Sequence, residues 1–210
     1  KRQVFKTFEN YLKQFEIFIN SIEKNGTLIY NELDPELKKL VSSNKSNLNY
    51  IPYSIPKHKI IDGISFIDIN NRLYRLKIFG DHNLQNISGA LNICKALGVE
   101  SEDFYNAITS FNGASNRLEL VYKSSDTIIF KDFAHSPSKV KATTEAVHKQ
   151  FPNRKLISFF ELHTYSSLNP LFLEKYRDTL KHSDECYIYY SEKNMRIKIL
   201  EPIDSELIII

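Results

Sequence analysis

The last third of the chain alternates between short apolar runs and longer amphipathic stretches, and this alternation limits its fold more than any other feature. Apolar runs near residues 127–131, 156–160 and 186–190 predict strands, and the stretches near 137–150 and 170–180 predict helices. Continuous apolar strands separated by helices of about ten or more residues are typical of a parallel sheet with right-handed crossovers. We therefore expect an α/β fold.

The loops that follow these strands are expected to line one edge of the sheet, where open α/β sheets bind their ligands. Asp132 and His135 come after the first strand, and Ser136-Pro137 then begins a helix with an N-cap residue and a proline in the first turn. The two side chains are thus predicted at the positive end of a helix. The alternatives are that Asp132 is simply an acidic residue at a helix N-terminus and that His135 is simply an exposed histidine. The next strand is followed by Glu161, Leu162, His163 and Thr164.

The first part of the chain opens with a helix that Thr7 can cap. Its apolar residues recur three and four positions apart, which predicts a face packed in the core: Phe8, Tyr11, Leu12, Phe15, Phe18, Ile19 and Ile22. Two alternating runs, Ile64 to Ile69 and Leu73 to Ile78, are joined by Asn70-Asn71-Arg72 and predict a hairpin. A small helix is predicted from Ile87 to Leu97.

The linker at Asn112–Asn116 is rich in small, turn-forming residues, and we place the domain boundary there, giving domains of residues 1–112 and 113–210. Hydrophobic residues make up 42% and charged residues 25% of the chain, which predicts a folded protein. The net charge of +3, spread without a basic block, argues against nucleic-acid binding. There is no apolar run of about 20 residues and no signal peptide, so no membrane association is expected.

Cys94 and Cys186 are expected to be reduced core residues, which favours a cytoplasmic location. The apolar final run Leu207–Ile210 suggests a piece of a longer protein. The sequence lacks several familiar site motifs: the dinucleotide-binding G-x-G-x-x-G, the nucleophile elbow G-x-S-x-G, the zinc motif H-E-x-x-H, paired C-x-x-C and the P-loop.

Two further polar clusters remain. His82 and Asn83 precede Asn86, and amide side chains three residues apart share a helix face and suit the edge of an adenine ring. Helix capping is the alternative. Arg117 follows the linker, where its planar guanidinium can clamp phosphate, the alternative being a salt bridge on a surface strand.

Taken together, these clusters resemble the Mur ligase family, the ATP-dependent amide-bond ligases of peptidoglycan synthesis. The resemblance rests on four segments in order along the chain: Phe8-Glu9-Asn10-Tyr11 with Gln14-Phe15, Gly80 to Asn86, Asn116-Arg117-Leu118-Glu119, and Asp132 to Pro137. Within the family, Phe130–His135 and Phe160-Glu161 are most similar to the recycling branch, which joins UDP-N-acetylmuramate to L-Ala-γ-D-Glu-meso-diaminopimelate. The branch that adds L-alanine and a nucleotide-binding module without catalysis are the alternatives.

The resemblance implies the end of a central ATPase domain followed by a Rossmann-like C-terminal domain with a mostly parallel sheet. It implies ATP and Mg²⁺, with Asn83 and Asn86 facing adenine, Arg117 and Asp132 holding ribose and phosphate, and His135 approaching the transferred phosphate. His82 would orient the start of the helix. The loop with Glu161, His163, Thr164 and Ser166 would contact the second substrate.

Parts of the family pattern are missing from these residues. The P-loop, the carbamylated lysine and the UDP-binding domain are absent, so we expect this chain by itself to be inactive and its N-terminal domain to be its partner. The run Glu161-Leu162-His163-Thr164-Tyr165-Ser166 also replaces the Glu-Pro-Arg-Ser-like run of the tripeptide-adding branch. This departure leaves the amine substrate open.

Overall fold

The computed structural model describes residue 5 and residues 7–164 and 167–191, and it confirms a mixed α/β fold. The described helices are α1 (Phe8–Asn20), α2 (Pro35–Ser43), α3 (Asp81–Ala96), α4 (Ser101–Ile108), α5 (Pro137–Gln150) and α6 (Pro170–Leu173). The strands are β1 (Thr27–Asn31), β2 (Asn49–Tyr53), β3 (His58–Ile61), β4 (Ile64–Ile69), β5 (Arg72–Arg75), β6 (Glu119–Lys123), β7 (Ile128–Lys131), β8 (Ile157–Leu162) and β9 (Glu185–Tyr190). Within the described ranges, no helix combines the length and apolarity that a membrane crossing requires.

The chain forms two compact units. One comprises Lys1–Lys57 and Asn83–Ala107, and the other comprises His58–His82 and Ile108–Ile210. The predicted boundary at residue 112 follows the order of the sequence, whereas the hairpin segment His58–His82 belongs to the same unit as the C-terminal part. Helix α3 accordingly begins in the second unit and continues in the first.

In the first unit, β1 and β2 pair in parallel, with Thr27 opposite Asn49 and Asn31 opposite Tyr53. Helix α1 begins as predicted, because the Thr7 hydroxyl accepts the N–H of Asn10. Its aromatic stripe is not a core face in this unit: Ile19 is buried, but Phe8 is 59% and Phe18 61% exposed. The spacing of the apolar residues predicts the helix itself. How much of the helix is buried depends on the surface opposite it, and the sheet of this unit has only two described strands.

In the second unit, strands β3, β4 and β5 form an antiparallel sheet. The predicted β4–β5 hairpin is confirmed, and Asn70 and Asn71 both adopt positive φ angles, 50° and 67°. Strand β3 was not predicted, although Asp62-Gly63, with φ of 49° and 70°, is a strong hairpin signal. Ser65 of this sheet donates a buried hydrogen bond of 2.9 Å to Gln150 of α5.

The C-terminal strands pair in two ways. Strands β8 and β9 are parallel, as predicted, whereas β6 and β7 form an antiparallel pair with an irregularity between Leu120 and Tyr122. The main core packs β8 against α5 and against the segment around and after α6. Its buried residues are Val140, Phe160, Leu162, Leu168, Leu173, Tyr176 and Leu180. A second buried cluster joins Phe79, Leu118 and Ala146.

Two predicted details in this unit are wrong. The helix expected over 170–180 ends at Leu173 and continues as a 3-10 turn over Glu174–Tyr176, and Asp178 then adopts a left-handed φ of 60° that an α-helix excludes. Cys186 is a free thiol, as expected, but it is exposed and not in the core. It lies on β9, on which Tyr187 and Tyr189 are also exposed.

Candidate functional site

The corner between β7 and α5 is the centre of the site that the sequence predicts, and its first residue, Asp132, is tied to the turn before β6. The Leu118 N–H donates to Asp132 Oδ2 over 2.8 Å. The Phe133 N–H donates in turn to the carbonyl of Asn116 over 2.9 Å. One carboxylate oxygen of Asp132 therefore already serves the protein backbone, which the sequence did not reveal.

Arg117 lies between two residues in left-handed conformations, Asn116 at φ 54° and Leu118 at φ 46°. For a bulky residue such as Leu118 this conformation is unusual. It turns the Leu118 side chain into the core with Phe79 and Ala146. The guanidinium carbon of Arg117 lies 5.9 Å from the centre of the Phe133 ring, within the range of a cation–π contact.

His135 is held at both its ring and its backbone. Its Nδ1 lies 3.0 Å from the carbonyl oxygen of Phe133, and its own carbonyl accepts a 2.6 Å hydrogen bond from the hydroxyl of Tyr176. Tyr176 is completely buried, and burial raises the pKa of its phenol. Ser136 occupies the N-cap position of α5, as predicted, but its side chain makes no capping hydrogen bond, and its carbonyl instead accepts from Lys139 and Val140.

His82 lies in the first turn of α3, which begins six residues earlier than the predicted Ile87. Burial lowers the pKa of His82; the carboxylates of Asp132 and Asp81 act in the opposite direction, and Arg117 adds to the lowering. Because Arg117 and Asp132 both influence the pKa of His82, the three side chains lie within electrostatic reach of one another.

Gly80 fixes the entry into this helix. Its φ of 90° is a left-handed value, and a Cβ there would lie 2.7 Å from the Cβ of Ala146 and 3.2 Å from His82 Cε1. Glycine is thus required both by the backbone and by the close approach of α5.

Asn83 and Asn86 lie on α3, within the first unit, and Asn86 is exposed while Asn83 is partly buried. Because they are three residues apart, they share one side of the helix. Between them Gln85 accepts a hydrogen bond of 3.2 Å from Asn31 at the end of β1. Their predicted contact with adenine stays a prediction.

The loop after β8 forms a second corner. Glu161 is exposed near the end of the strand, and His163 Nδ1 lies 3.2 Å from its carbonyl oxygen. Thr164 and Ser167 bond to each other: the Thr164 N–H donates to Ser167 Oγ, and the Ser167 N–H donates to Thr164 Oγ1, each over 3.0 Å. Ser166, also predicted here, lies outside the described residues.

The two corners meet around Phe133, which is half exposed. Its ring centre lies 5.0 Å from that of His135 and 5.7 Å from that of His163, and the two imidazoles are 6.4 Å apart. Four groups from three separate segments therefore surround one exposed surface: Arg117, Phe133, His135 and His163. Sequence reasoning missed Phe133 and Tyr176. Phe133 stood out only as a member of the family-like segment Asp132 to Pro137, and no sequence pattern marked Tyr176.

The arrangement provides a guanidinium, two imidazoles and a carboxylate, which together suit an anionic ligand that also has hydroxyl groups. In the described part of the chain, no group of three or more histidine, cysteine or acidic side chains is arranged to hold a metal ion.

Comparison with known proteins identifies the family of the chain. Residues 3–94 match the model of the Mur ligase middle domain. The UDP-N-acetylmuramate–L-alanine ligase of Caldicellulosiruptor bescii is 30% identical over 198 residues, covering 88% of this chain and 43% of the relative. The chain thus spans less than half the length of the curated relatives it matches.

Two solved structures share the fold. The UDP-N-acetylmuramate-alanine ligase of Thermotoga maritima matches with a TM-score of 0.63 at 15% identity, covering 92% of this chain and 44% of that one. A murein peptide ligase from Psychrobacter arcticus matches with a TM-score of 0.54 at 16% identity, covering 90% and 48%. These two structures show the fold alone, whereas the match of residues 3–94 to the middle-domain model and the 30% identity to an L-alanine ligase show that the chain belongs to the Mur ligase family.

Proposed function

We propose that the protein to which this chain belongs is an ATP-dependent ligase that forms an amide bond on UDP-N-acetylmuramate in peptidoglycan synthesis. The observation that carries the proposal is the 198-residue match to a UDP-N-acetylmuramate–L-alanine ligase, which covers 88% of this chain. In such a reaction ATP phosphorylates the muramate carboxylate, and the amine of the acceptor displaces phosphate from the acyl phosphate. Mg²⁺ would neutralise the charge of the phosphates.

The residues of the second unit have distinct parts in this proposal. Arg117 binds phosphate through its planar guanidinium, and the oxygen of Asp132 that does not accept the Leu118 N–H is available to a ribose hydroxyl. The contact between His135 Nδ1 and the Phe133 carbonyl fits a tautomer with the proton on Nδ1, which leaves Nε2 as the ring nitrogen for a ligand. His135 is the candidate to approach the transferred phosphate.

Asn83 and Asn86 are proposed to bind adenine through their amide groups, and His82 to orient the start of α3. Glu161, His163, Thr164 and Ser166 are proposed to contact the amine substrate. His163 is supported by its position beside Phe133 and His135.

Two acceptors are candidates. The curated relatives matched over most of this chain are named L-alanine ligases, which favours L-alanine. The segments Phe130–His135 and Phe160-Glu161, which resemble the recycling branch, favour L-Ala-γ-D-Glu-meso-diaminopimelate.

The test is orthophosphate release by the full-length protein with ATP, Mg²⁺ and UDP-N-acetylmuramate, comparing L-alanine with the tripeptide. We expect release and an amide product, identified by mass spectrometry, with one of the two acceptors. If no orthophosphate is released with L-alanine and none with the tripeptide, the ligase proposal is wrong. In the same assay, Asn83→Ala is expected to raise the KM for ATP with a smaller change in the KM for the muramate nucleotide.

A further inference from the structure

The turn that carries Arg117 is held in an unfavourable conformation from outside. Asn116 and Leu118 are both left-handed, with φ of 54° and 46°, and a leucine does not adopt this conformation without support from its surroundings. The side chain of Leu118 is buried, so the residue cannot relax by turning outward.

Two carboxylates and one backbone contact supply that support. Asp132 Oδ2 accepts the N–H of Leu118 over 2.8 Å, and Glu119 Oε2 accepts the N–H of Asn116 over 2.7 Å. The carbonyl of Asn116 accepts the N–H of Phe133 over 2.9 Å. The N–H groups on both sides of Arg117 are thus bound by carboxylates, and the turn is joined to the segment that begins at Asp132.

Resting on the proposed function, we propose that Asp132 is a positioning residue for Arg117: by accepting the Leu118 N–H it holds the left-handed turn that keeps the guanidinium above Phe133. With its backbone fixed on both sides, Arg117 starts from a defined position, and its guanidinium carbon lies 5.9 Å from the centre of the Phe133 ring. Asp132 thereby acts on the phosphate of ATP through Arg117, in addition to any ligand it contacts itself.

The two roles of Asp132 require different chemistry. Accepting one N–H requires an acceptor oxygen, which the side-chain amide of asparagine also offers. Balancing the positive charge of a bound cation requires the negative charge of the carboxylate. Asp132→Asn therefore keeps the positioning role and removes the charge, while Asp132→Ala removes both.

The kinetic test measures kcat and the KM for ATP of the full-length protein carrying Asp132→Ala, Asp132→Asn, Arg117→Ala or the double change Asp132→Ala with Arg117→Ala. We expect Asp132→Ala to raise the KM for ATP by about tenfold or more and Asp132→Asn to recover most of that loss. The loss in the double variant should be clearly smaller than the product of the two single losses, because the two residues act in part through one contact. Asp126→Ala, which removes an exposed carboxylate that accepts from Ser124 in the β6–β7 turn, is the matched control and should behave as the parent protein.

An Asp132→Asn variant as impaired as Asp132→Ala, or strictly additive effects with Arg117→Ala, would overturn the proposal.

A second measurement does not depend on the ligase reaction: hydrogen exchange at the Leu118 amide without nucleotide. Exchange should accelerate in Asp132→Ala and stay close to the parent rate in Asp132→Asn. Loss of this pattern refutes the positioning role, whereas the pattern in a protein that does not turn over ATP refutes the proposed function alone.

Discussion

The two corners that meet at Phe133 are built alike but held differently. In each, a histidine directs Nδ1 at the carbonyl oxygen of the residue two positions before it, over 3.0 Å at His135 and 3.2 Å at His163. The first corner is bonded to distant parts of the second unit, through Asp132 to Leu118 and through the His135 carbonyl to Tyr176. At the second corner, Thr164 and Ser167 bond to each other.

Under the proposed function, this difference predicts what each corner contributes. A group held by distant elements keeps its position when its own loop moves, and pre-positioned groups stabilise developing charge most effectively. A locally bonded turn can change with its loop, which suits a surface that reads a variable second substrate. The predictions below test whether the corners differ in this way.

The largest effect is expected at the buried anchor of the first corner. Tyr176→Phe removes a hydroxyl that is completely buried and leaves the His135 carbonyl without that donor. The free energy of unfolding should fall by about 1–3 kcal/mol, measured by urea titration of the full-length protein. Tyr187→Phe, which removes an exposed hydroxyl while keeping the stacked contact with Phe159, should change it little. Equal effects of both changes would contradict a special role for Tyr176.

A smaller and more local effect is expected at the second corner. Thr164→Ala removes the hydroxyl that accepts the Ser167 N–H and donates to Ser167 Oγ. The cost should be about 0.5–1.5 kcal/mol, with faster hydrogen exchange at Ser167 and an unchanged rate at Leu118. Thr164→Ser keeps the hydroxyl and should behave as the parent. Faster exchange at Leu118 in Thr164→Ala would mean that the two corners are not independent.

Acid should destabilise the fold through His82, whose pKa responds to Asp132 of the first corner. Because burial lowers the pKa of His82 in the folded state, the unfolded chain takes up that proton more readily, and the unfolding free energy should fall as the pH drops below about 6.5. Above that pH the histidine is neutral in both states and contributes no slope. His82→Gln should flatten the curve between pH 7 and 5 (about the range over which histidine titrates), measured by thermal unfolding; an unchanged slope would count against this origin.

The smallest effect is expected at an exposed link to α5. Lys149 Nζ and Asp81 Oδ2 are 2.9 Å apart, but the side chains are 57% and 41% exposed. Lys149→Met should therefore lower the unfolding free energy by less than about 0.5 kcal/mol, and added salt should reduce even that difference. A loss as large as that of Tyr176→Phe would show that exposed contacts hold the first corner as firmly as buried ones.

The sequence predicted the parts of the fold that depend on neighbouring residues. The cap at Thr7, the hairpin at Asn70-Asn71 and the strand-to-helix corner at Pro137 are local patterns, and all three are present. The exposed stripe of α1 differs from its prediction because burial is set by what lies opposite a helix, and periodicity does not report that.

The corner between β7 and α5 was predictable from the sequence, but its connections were not. The strand-to-helix pattern placed Asp132 and His135 between these two elements, whereas the described residues do not form the expected single parallel sheet: β7 pairs antiparallel with β6, in a sheet separate from β8 and β9. The Asp132 bond to Leu118 joins residues 14 positions apart, and it depends on a left-handed leucine that no propensity favours. Such contacts are specified by the packed unit as a whole.

The hydroxyl of Tyr176 reaches a carbonyl 41 positions earlier in the chain. A ribosome delivers His135, all of α5 and all of β8 before it delivers this tyrosine, so the corner is synthesised well ahead of its anchor. Contacts of such separation close late, after the intervening helix and strand have packed. A nascent chain halted before residue 176 would therefore carry His135 without the bond that fixes it, and the site would gain its final geometry only near the end of this unit's synthesis.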